Sequence, residues 1–245
     1  MIDNNEWFVS WFDSKYYHIL YSDRTDYEAH NFIYQLKNHL SLDSKEKVLD
    51  LGCGRGRHSK TLSEFFKTLD GIDISKENID FATSNKSKNQ NFYISDMRNF
   101  KMSNSYGYIF NLFTSFGYFD DLSDNVKVLE NCNHHLKKNG LLIIDFLNAN
   151  KIKKTIKNIQ EIKKINNIIF EIDKYILNNY IFKKIKIIDG DSVLNFVEKV
   201  QLFELDDFIK MLEKTGFTEI SAFGDYKMNP YHSNSNRLIL CAKKR

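Results

Sequence analysis

Residues Lys47-Val48-Leu49-Asp50-Leu51-Gly52-Cys53-Gly54-Arg55-Gly56-Arg57 decide how the rest of the chain is read. Val48, Leu49 and Leu51 make the short apolar run of a buried strand. Gly52, Gly54 and Gly56 then let the backbone turn tightly and come close to a ligand. A helix starting near Arg57 aims free N–H groups at that ligand, which favours a polar, anionic group there. A dinucleotide-binding turn asks for a small residue three positions past its second glycine. Here that position is Arg57, too large for close helix–strand packing.

Downstream, the pattern repeats. Residues 66–74 read as a second strand that ends on Asp73. An acid there can accept hydrogen bonds from two ribose hydroxyls; its plainer role is to cap the helix starting near Ser75. Asn91-Phe92-Tyr93-Ile94 reads as a third strand leading to Ser95-Asp96-Met97. Residues 106–112 form a fourth, followed by the aromatic loop Phe113-Thr114-Ser115-Phe116-Gly117-Tyr118-Phe119. That loop leaves the carboxyl end of a strand, where open α/β sheets bind ligands. A helix over 124–138 stops at Asn139-Gly140, and residues 141–146 give a fifth strand. A helix over 206–214, a strand over 217–223 and a last antiparallel strand over 237–242 complete the pattern.

The G-x-G-x-G spacing with Asp50 upstream, Asp73 after strand two, and Asp96-Met97 after strand three resembles the class I S-adenosylmethionine (SAM)-dependent methyltransferases. The resemblance implies a Rossmann-like, seven-stranded, mostly parallel sheet with an antiparallel last strand. It assigns Asp50, Gly52, Cys53 and Gly54 to the methionine end of SAM, Asp73 and Ile74 to the ribose, and Asp96 and Met97 to the adenine. Asn111, Leu112 and Phe113 are expected to complete the cofactor wall, with Tyr17, Tyr21 and Arg24 from the N-terminal segment. Arg24 suits a carboxylate geometrically. No base is singled out; Tyr118, Asp225 and Tyr226 are the catalytic candidates. His18 is also within reach in sequence, although a surface position is its plainer reading.

Outside the core, Trp7, Phe8, Trp11, Phe12, Tyr16, Tyr17, Leu20 and Tyr21 form a dense aromatic patch, and Ala29, Phe32, Ile33, Leu36 and Leu40 recur at helical spacing. Residues 1–46 are therefore read as a helical lid segment, expected to form two helices. Between 151 and 203, β-rich runs over 167–176, 180–188 and 192–203 alternate with the turn pairs Asn178-Asn179 and Asp189-Gly190. This predicts an inserted small antiparallel β-sheet between the two parts of the core, 47–150 and 204–245. Aromatic N-terminal helices, this insert and Gly224-Asp225-Tyr226 make the chain resemble the small-molecule group within that family, the amino-sugar and glycine N-methyltransferase-like enzymes. In that group both added segments close over the cofactor, whose product is S-adenosylhomocysteine, and the partner is a small-molecule methyl acceptor.

Composition narrows the alternatives. The 245 residues carry a net charge of only +3, which gives no general reason to expect nucleic acid. A lysine-rich stretch (Lys151, Lys153, Lys154, Lys157, Lys163, Lys164) is what an RNA or protein methyltransferase could use, but a solvated lysine face is the plainer reading. Asn111-Leu112-Phe113-Thr114 lacks the proline-rich motif of amino-methylating DNA enzymes, and no cysteine follows strand four. A non-catalytic SAM-binding scaffold is the other-class alternative. The three cysteines suggest neither a disulfide framework nor a metal cluster, and no metal is expected. No apolar run reaches a membrane span of ~18 residues. The aromatic, acidic N-terminus is unlike a signal peptide, so a cytoplasmic monomer or homodimer is the expectation.

Overall fold

The computed structural model describes residues 6–103 and 105–245. Seven strands form one sheet: β1 (Lys47–Leu51), β2 (Thr68–Asp73), β3 (Gln90–Ile94), β4 (Tyr106–Asn111), β5 (Leu136–Leu147), β10 (Phe217–Phe223) and β11 (Arg237–Lys244). Their order is β10-β11-β5-β4-β1-β2-β3. β1 to β5 run parallel; β11 is antiparallel to both β5 and β10. This is the α/β sheet expected from the sequence. Its central strands are covered on both faces, which is why Val48, Leu49, Leu51, Ile109, Phe110, Ile143 and Ile144 are all buried rather than alternating.

The order reverses between β1 and β4, so the crevice at their carboxyl ends is the switch point at which such sheets bind ligands. α4 (Arg57–Phe65) and α5 (Lys76–Ser84) begin at that edge; α6 (Leu122–His135) and α8 (Leu205–Lys214) pack on the sheet further along. α6 ends at His135, three residues before the expected stop, because Leu136 already pairs with Tyr106 before the register shift that follows it.

The N-terminal segment forms three helices among the described residues, not two: α1 (Trp7–Phe12), α2 (Lys15–Leu20) and α3 (Asp26–His39). Ser14 and Thr25 cap the second and third. The insert is a four-stranded antiparallel sheet, β6 (Ile159–Ile165), β7 (Ile168–Leu177), β8 (Tyr180–Asp189) and β9 (Ser192–Gln201). β6 was not expected. The lysine-rich stretch that hides it divides into α7 (Ala149–Thr155) and this edge strand, and Asn166-Asn167 makes the hairpin turn from β6 into β7 with φ of 51° and 65°. One face of the insert buries Ile168, Phe170, Ile172, Ile185 and Ile187 against Trp11, Tyr16 and Leu20 of α1 and α2. Helices α1 and α2 therefore share a core with the insert.

Candidate functional site

A cavity of about 260 Å³ opens at the carboxyl edge of β1, β2, β3 and β4. Its floor is mainly backbone. Gly52 and Gly54 line it, and Gly56 follows them out of the lining; all three sit at left-handed φ (75°, 55° and 84°), a conformation that costs other residues roughly 1 kcal/mol or more. A Cβ on Gly52 would lie 3.0 Å from Ser115 Cβ, so this glycine is also required for close approach of β1 to the loop after β4. Gly56 is the N-cap of α4 and offers no side-chain cap, which leaves first-turn N–H groups free toward the cavity.

Asp73, at the end of β2, accepts Gly54 N–H at 2.8 Å on one oxygen and Ser75 N–H at 2.9 Å on the other. Burial pushes its pKa up, and these N–H donors oppose that shift. Beside it, the Asn78 side chain reaches both Asp73 and His18, and all three line the cavity. A carboxylate flanked by two further polar side chains on a cavity wall suits a pair of vicinal hydroxyls, and so the residues fit a ribose.

Asp96 and Met97 also line the cavity. The Asp96 carboxylate is held by Arg98, whose Nε lies 2.9 Å from Oδ2. Arg98 in turn binds Glu6 at 2.7 Å, just ahead of α1, and Asp124 at 3.2 Å, the latter on α6. The guanidinium therefore ties the third-strand acid to Glu6 ahead of α1 and to α6.

The roof is made of side chains. Phe8, Phe12, Tyr17, His18, Tyr21 and Arg24 descend from the N-terminal helices and the turn after them. Arg24 donates to Tyr17 Oη at 2.9 Å and lies over the rings of Tyr21 and Phe113, 3.7 and 4.4 Å from their centroids. The insert fixes this arrangement from behind. Glu198 on β9 accepts from Trp11 Nε1 at 2.8 Å and from Tyr21 Oη at 2.6 Å. Lys183 on β8 contacts Tyr21 Oη and lies 3.8 Å from Glu198, and burial lowers its pKa to about 8.

Of the residues selected from the sequence, Tyr17, Tyr21, Arg24, Gly52, Cys53, Gly54, Asp73, Ile74, Asp96, Met97, Leu112, Phe113 and Tyr118 line this one cavity. Four stand behind or away from its wall. Asp50 is buried and accepts from Ser59 in the first turn of α4; burial raises its pKa to about 7. Asn111 bridges Leu51 O at 2.9 Å and Ser115 O at 3.0 Å. Tyr226 donates to Asp145 at 3.1 Å and stacks on Phe32. Asp225 folds back on Lys227 and Asn229 in its own turn.

Tyr118 donates to Thr114 O, and burial drives its pKa well above the ordinary tyrosine value, which favours the neutral phenol. His18, expected at the surface, is in the wall; burial with Arg55 nearby lowers its pKa to about 4. Arg55, Arg57 and His58 also line the cavity and were not selected. Their signal was available: Arg55 lies within the glycine turn, and Arg57 and His58 directly follow it at the uncapped start of α4.

The loop after β4 is held in an unusual shape. Phe113 and Thr114 both have positive φ (60° and 65°). Asp145 pins them through its Oδ2 to Phe113 N–H at 3.0 Å and its backbone O to Thr114 N–H at 2.8 Å. Arg237 bonds Asp145 at 2.7 Å and Thr114 Oγ1 at 2.9 Å. Such strain persists only where the surroundings fix it.

A family model described as "Methyltransferase domain" matches residues 42–216. A malonyl-[acyl-carrier protein] O-methyltransferase of Bacillus anthracis is 25% identical over 197 residues, covering 78% of this chain and 72% of the relative. Among solved structures, an S-adenosylmethionine-dependent methyltransferase from Clostridium acetobutylicum superposes with a TM-score of 0.79 at 19% identity, over 94% of this chain and 96% of that one. A sugar N-methyltransferase from Streptoalloteichus sp. superposes with a TM-score of 0.73 at 18% identity, over 94% and 92%. At these identities the superpositions speak to the fold.

Proposed function

This chain belongs to the methyltransferase-domain family, and we propose that it transfers the methyl group of SAM to a small-molecule acceptor through an N or O nucleophile. The observation that carries this reading is the cavity at the β1/β4 switch point, floored by left-handed glycines and the Asp73 carboxylate and roofed by aromatic rings.

SAM supplies a methyl group already activated by its sulfonium. The protein's contribution is alignment and enclosure. Asp73, with Asn78 and His18 beside it, holds the ribose; Asp96 and Met97 hold the adenine; Arg24 meets the carboxylate. Phe8, Phe12, Tyr17, Phe113 and Tyr118 exclude water and leave electron-rich faces around a cationic centre. Fixing two reactants in line can lower a barrier by roughly 7–11 kcal/mol in favourable cases. No step requires Tyr118 to ionise.

A small acceptor is favoured because the lysine-rich stretch is not a continuous phosphate track. Lys153 pairs with Glu204, Lys163 lies near Glu161, and Lys151 and Lys154 contact Asn236 and Asn234. Among the described residues no helix is long and apolar enough to cross a membrane. All three cysteines are free and buried, consistent with a reducing cytoplasm, as a monomer or homodimer.

Calorimetric titration with SAM, S-adenosylhomocysteine and NAD tests the reading. Micromolar binding of the first two without NAD is expected. Binding of NAD alone would overturn it, and SAM binding without turnover across amine and hydroxyl acceptors would favour the scaffold alternative.

A further inference from the structure

The charges lining the cavity do not balance. Its wall carries Arg24, Arg55 and Arg57 against Asp73 and Asp96. Asp96 is already paired with Arg98, which does not line the cavity. Arg24 has no carboxylate within ion-pair distance among the described residues, and the nearest to Arg57 is the exposed Glu28 at 3.9 Å. SAM, whose carboxylate and ammonium cancel and whose sulfonium remains, would add one further net positive charge, against Asp73 in the wall and Glu28 at its edge. Burying unmatched cations is costly, so a site of this kind favours an anionic partner.

Two of the three arginines converge on one place, while Arg55 lies over the Phe81 ring at 4.7 Å. Around the Phe113 ring lie Arg24 at 4.4 Å, Arg57 at 4.9 Å, Arg237 at 5.8 Å and the His58 ring at 6.2 Å. Arg237 is satisfied by Asp145. Arg24 is fixed by Tyr17 and Tyr21 where the cofactor carboxylate is expected. That leaves His58 and Arg57 on the first turn of α4; one Nη of Arg57 donates to Thr25 O at 3.2 Å and lies 3.9 Å from the exposed Glu28, while the other faces His58. An Arg57 Nη lies 3.4 Å from His58 Nε2. A guanidinium can only donate, so the facing Nε2 is an acceptor and the imidazole proton sits on Nδ1, available as a donor.

We propose that Arg57 and His58 form a subsite for an anionic group on the acceptor, so that the molecule methylated carries a carboxylate or phosphate near its nucleophile. This deepens the methyltransferase reading and rests on it. A forked guanidinium beside an N–H donor and free first-turn amides matches the oxygens of either group. The burial and neighbouring arginines that keep His58 neutral, with a pKa lowered to about 3, are the same positive field an anion would relieve.

The test uses simple anions as probes: malonate and inorganic phosphate titrated into the full chain, free and saturated with S-adenosylhomocysteine, with uncharged malonamide as control. His58 is followed by NMR and assigned with His58→Asn. The expected result is that one anion binds the S-adenosylhomocysteine complex and moves the His58 titration upward, while malonamide does neither. Arg57→Gln should weaken that binding at least tenfold, Arg57→Lys less, and both should bind S-adenosylhomocysteine within about twofold of the parent. Which of the two anions binds tells a carboxylate acceptor from a phosphate one. The proposal is overturned if neither anion binds, if binding survives Arg57→Gln, if the anion displaces S-adenosylhomocysteine, or if Arg57→Gln weakens S-adenosylhomocysteine equally. Anion binding lost in Arg57→Gln, in a protein that does not bind S-adenosylhomocysteine, would retain the subsite and reject the cofactor reading.

Discussion

The floor and the roof of the cavity solve the same problem with different materials. The floor is built from backbone: the left-handed Gly52 and Gly54, first-turn amides of α4, and a carboxylate that accepts two of the local N–H groups. The roof is built from side chains, aromatic rings and Arg24, whose positions depend on Glu198 and Lys183 in a different sheet. Backbone geometry set by a turn has few alternatives. Side chains gathered from distant segments have many, and need partners to select one. The floor should therefore fail locally and sharply when altered, and the roof through loss of its support.

The largest effect is expected on the floor. Asp73→Ala removes the acceptor for Gly54 and Ser75 and the proposed ribose contacts. Charge-assisted hydrogen bonds are worth roughly 1.5–3 kcal/mol each, so S-adenosylhomocysteine affinity should fall about 100-fold or more. Unchanged affinity in calorimetry would mean that the floor does not hold the cofactor. On the roof, Glu198→Ala strands Trp11 Nε1, Tyr21 Oη and the buried Lys183. A stability loss of about 2–3 kcal/mol is expected from the unsatisfied donors, seen as a lower Tm with a smaller, roughly tenfold, loss of cofactor affinity. A loss of affinity as large as that of Asp73→Ala would erase the distinction between floor and roof.

A pH series sharpens it further. His18 in the roof and His58 in the floor have folded pKa values lowered to about 4 and about 3, against 6.5 when unperturbed. Between about pH 4 and 6.5 the unfolded chain binds more protons than the folded one, so these groups make stability rise with pH across that window and fall on acidification. Asp50, raised to about 7, works in the opposite sense. His18→Asn and His58→Asn should each flatten the acid limb in urea melts at pH 4.5, 5.5 and 6.5. An unaltered slope would mean that the fold does not lower the pKa of the histidine in question. The smallest effect is expected for Tyr118→Phe, which loses one hydrogen bond to Thr114 O. Turnover should change about tenfold or less with no shift in its pH profile; a lost basic limb would make Tyr118 an acid–base group after all.

The strands of the core were legible because each is short, apolar and punctuated by a turn or an acid at its carboxyl end. The hairpin turns of the insert were legible in part: Asn178-Asn179 was recognised, but Asn166-Asn167 was not, because β6 presents lysines rather than an alternating apolar face to the reader. That alternation is weak because β6 is an edge strand, half of it facing water.

By itself, the sequence determined the floor. The order of glycines, Asp73 and Asp96-Met97 fixes local conformations, and a parallel sheet brings its strand ends to one edge whatever else the chain does. Only the tertiary structure decided which side chains face the ligand. It put Asp50 and Asn111 behind the wall, turned Asp225 and Tyr226 away, and placed His18, Arg55, Arg57 and His58 around the cavity. Spacing along a strand or helix fixes the conformation of a few neighbouring residues. Which of them face a cavity also depends on segments more than a hundred residues distant, because Glu198 and Lys183 position the rings that close it.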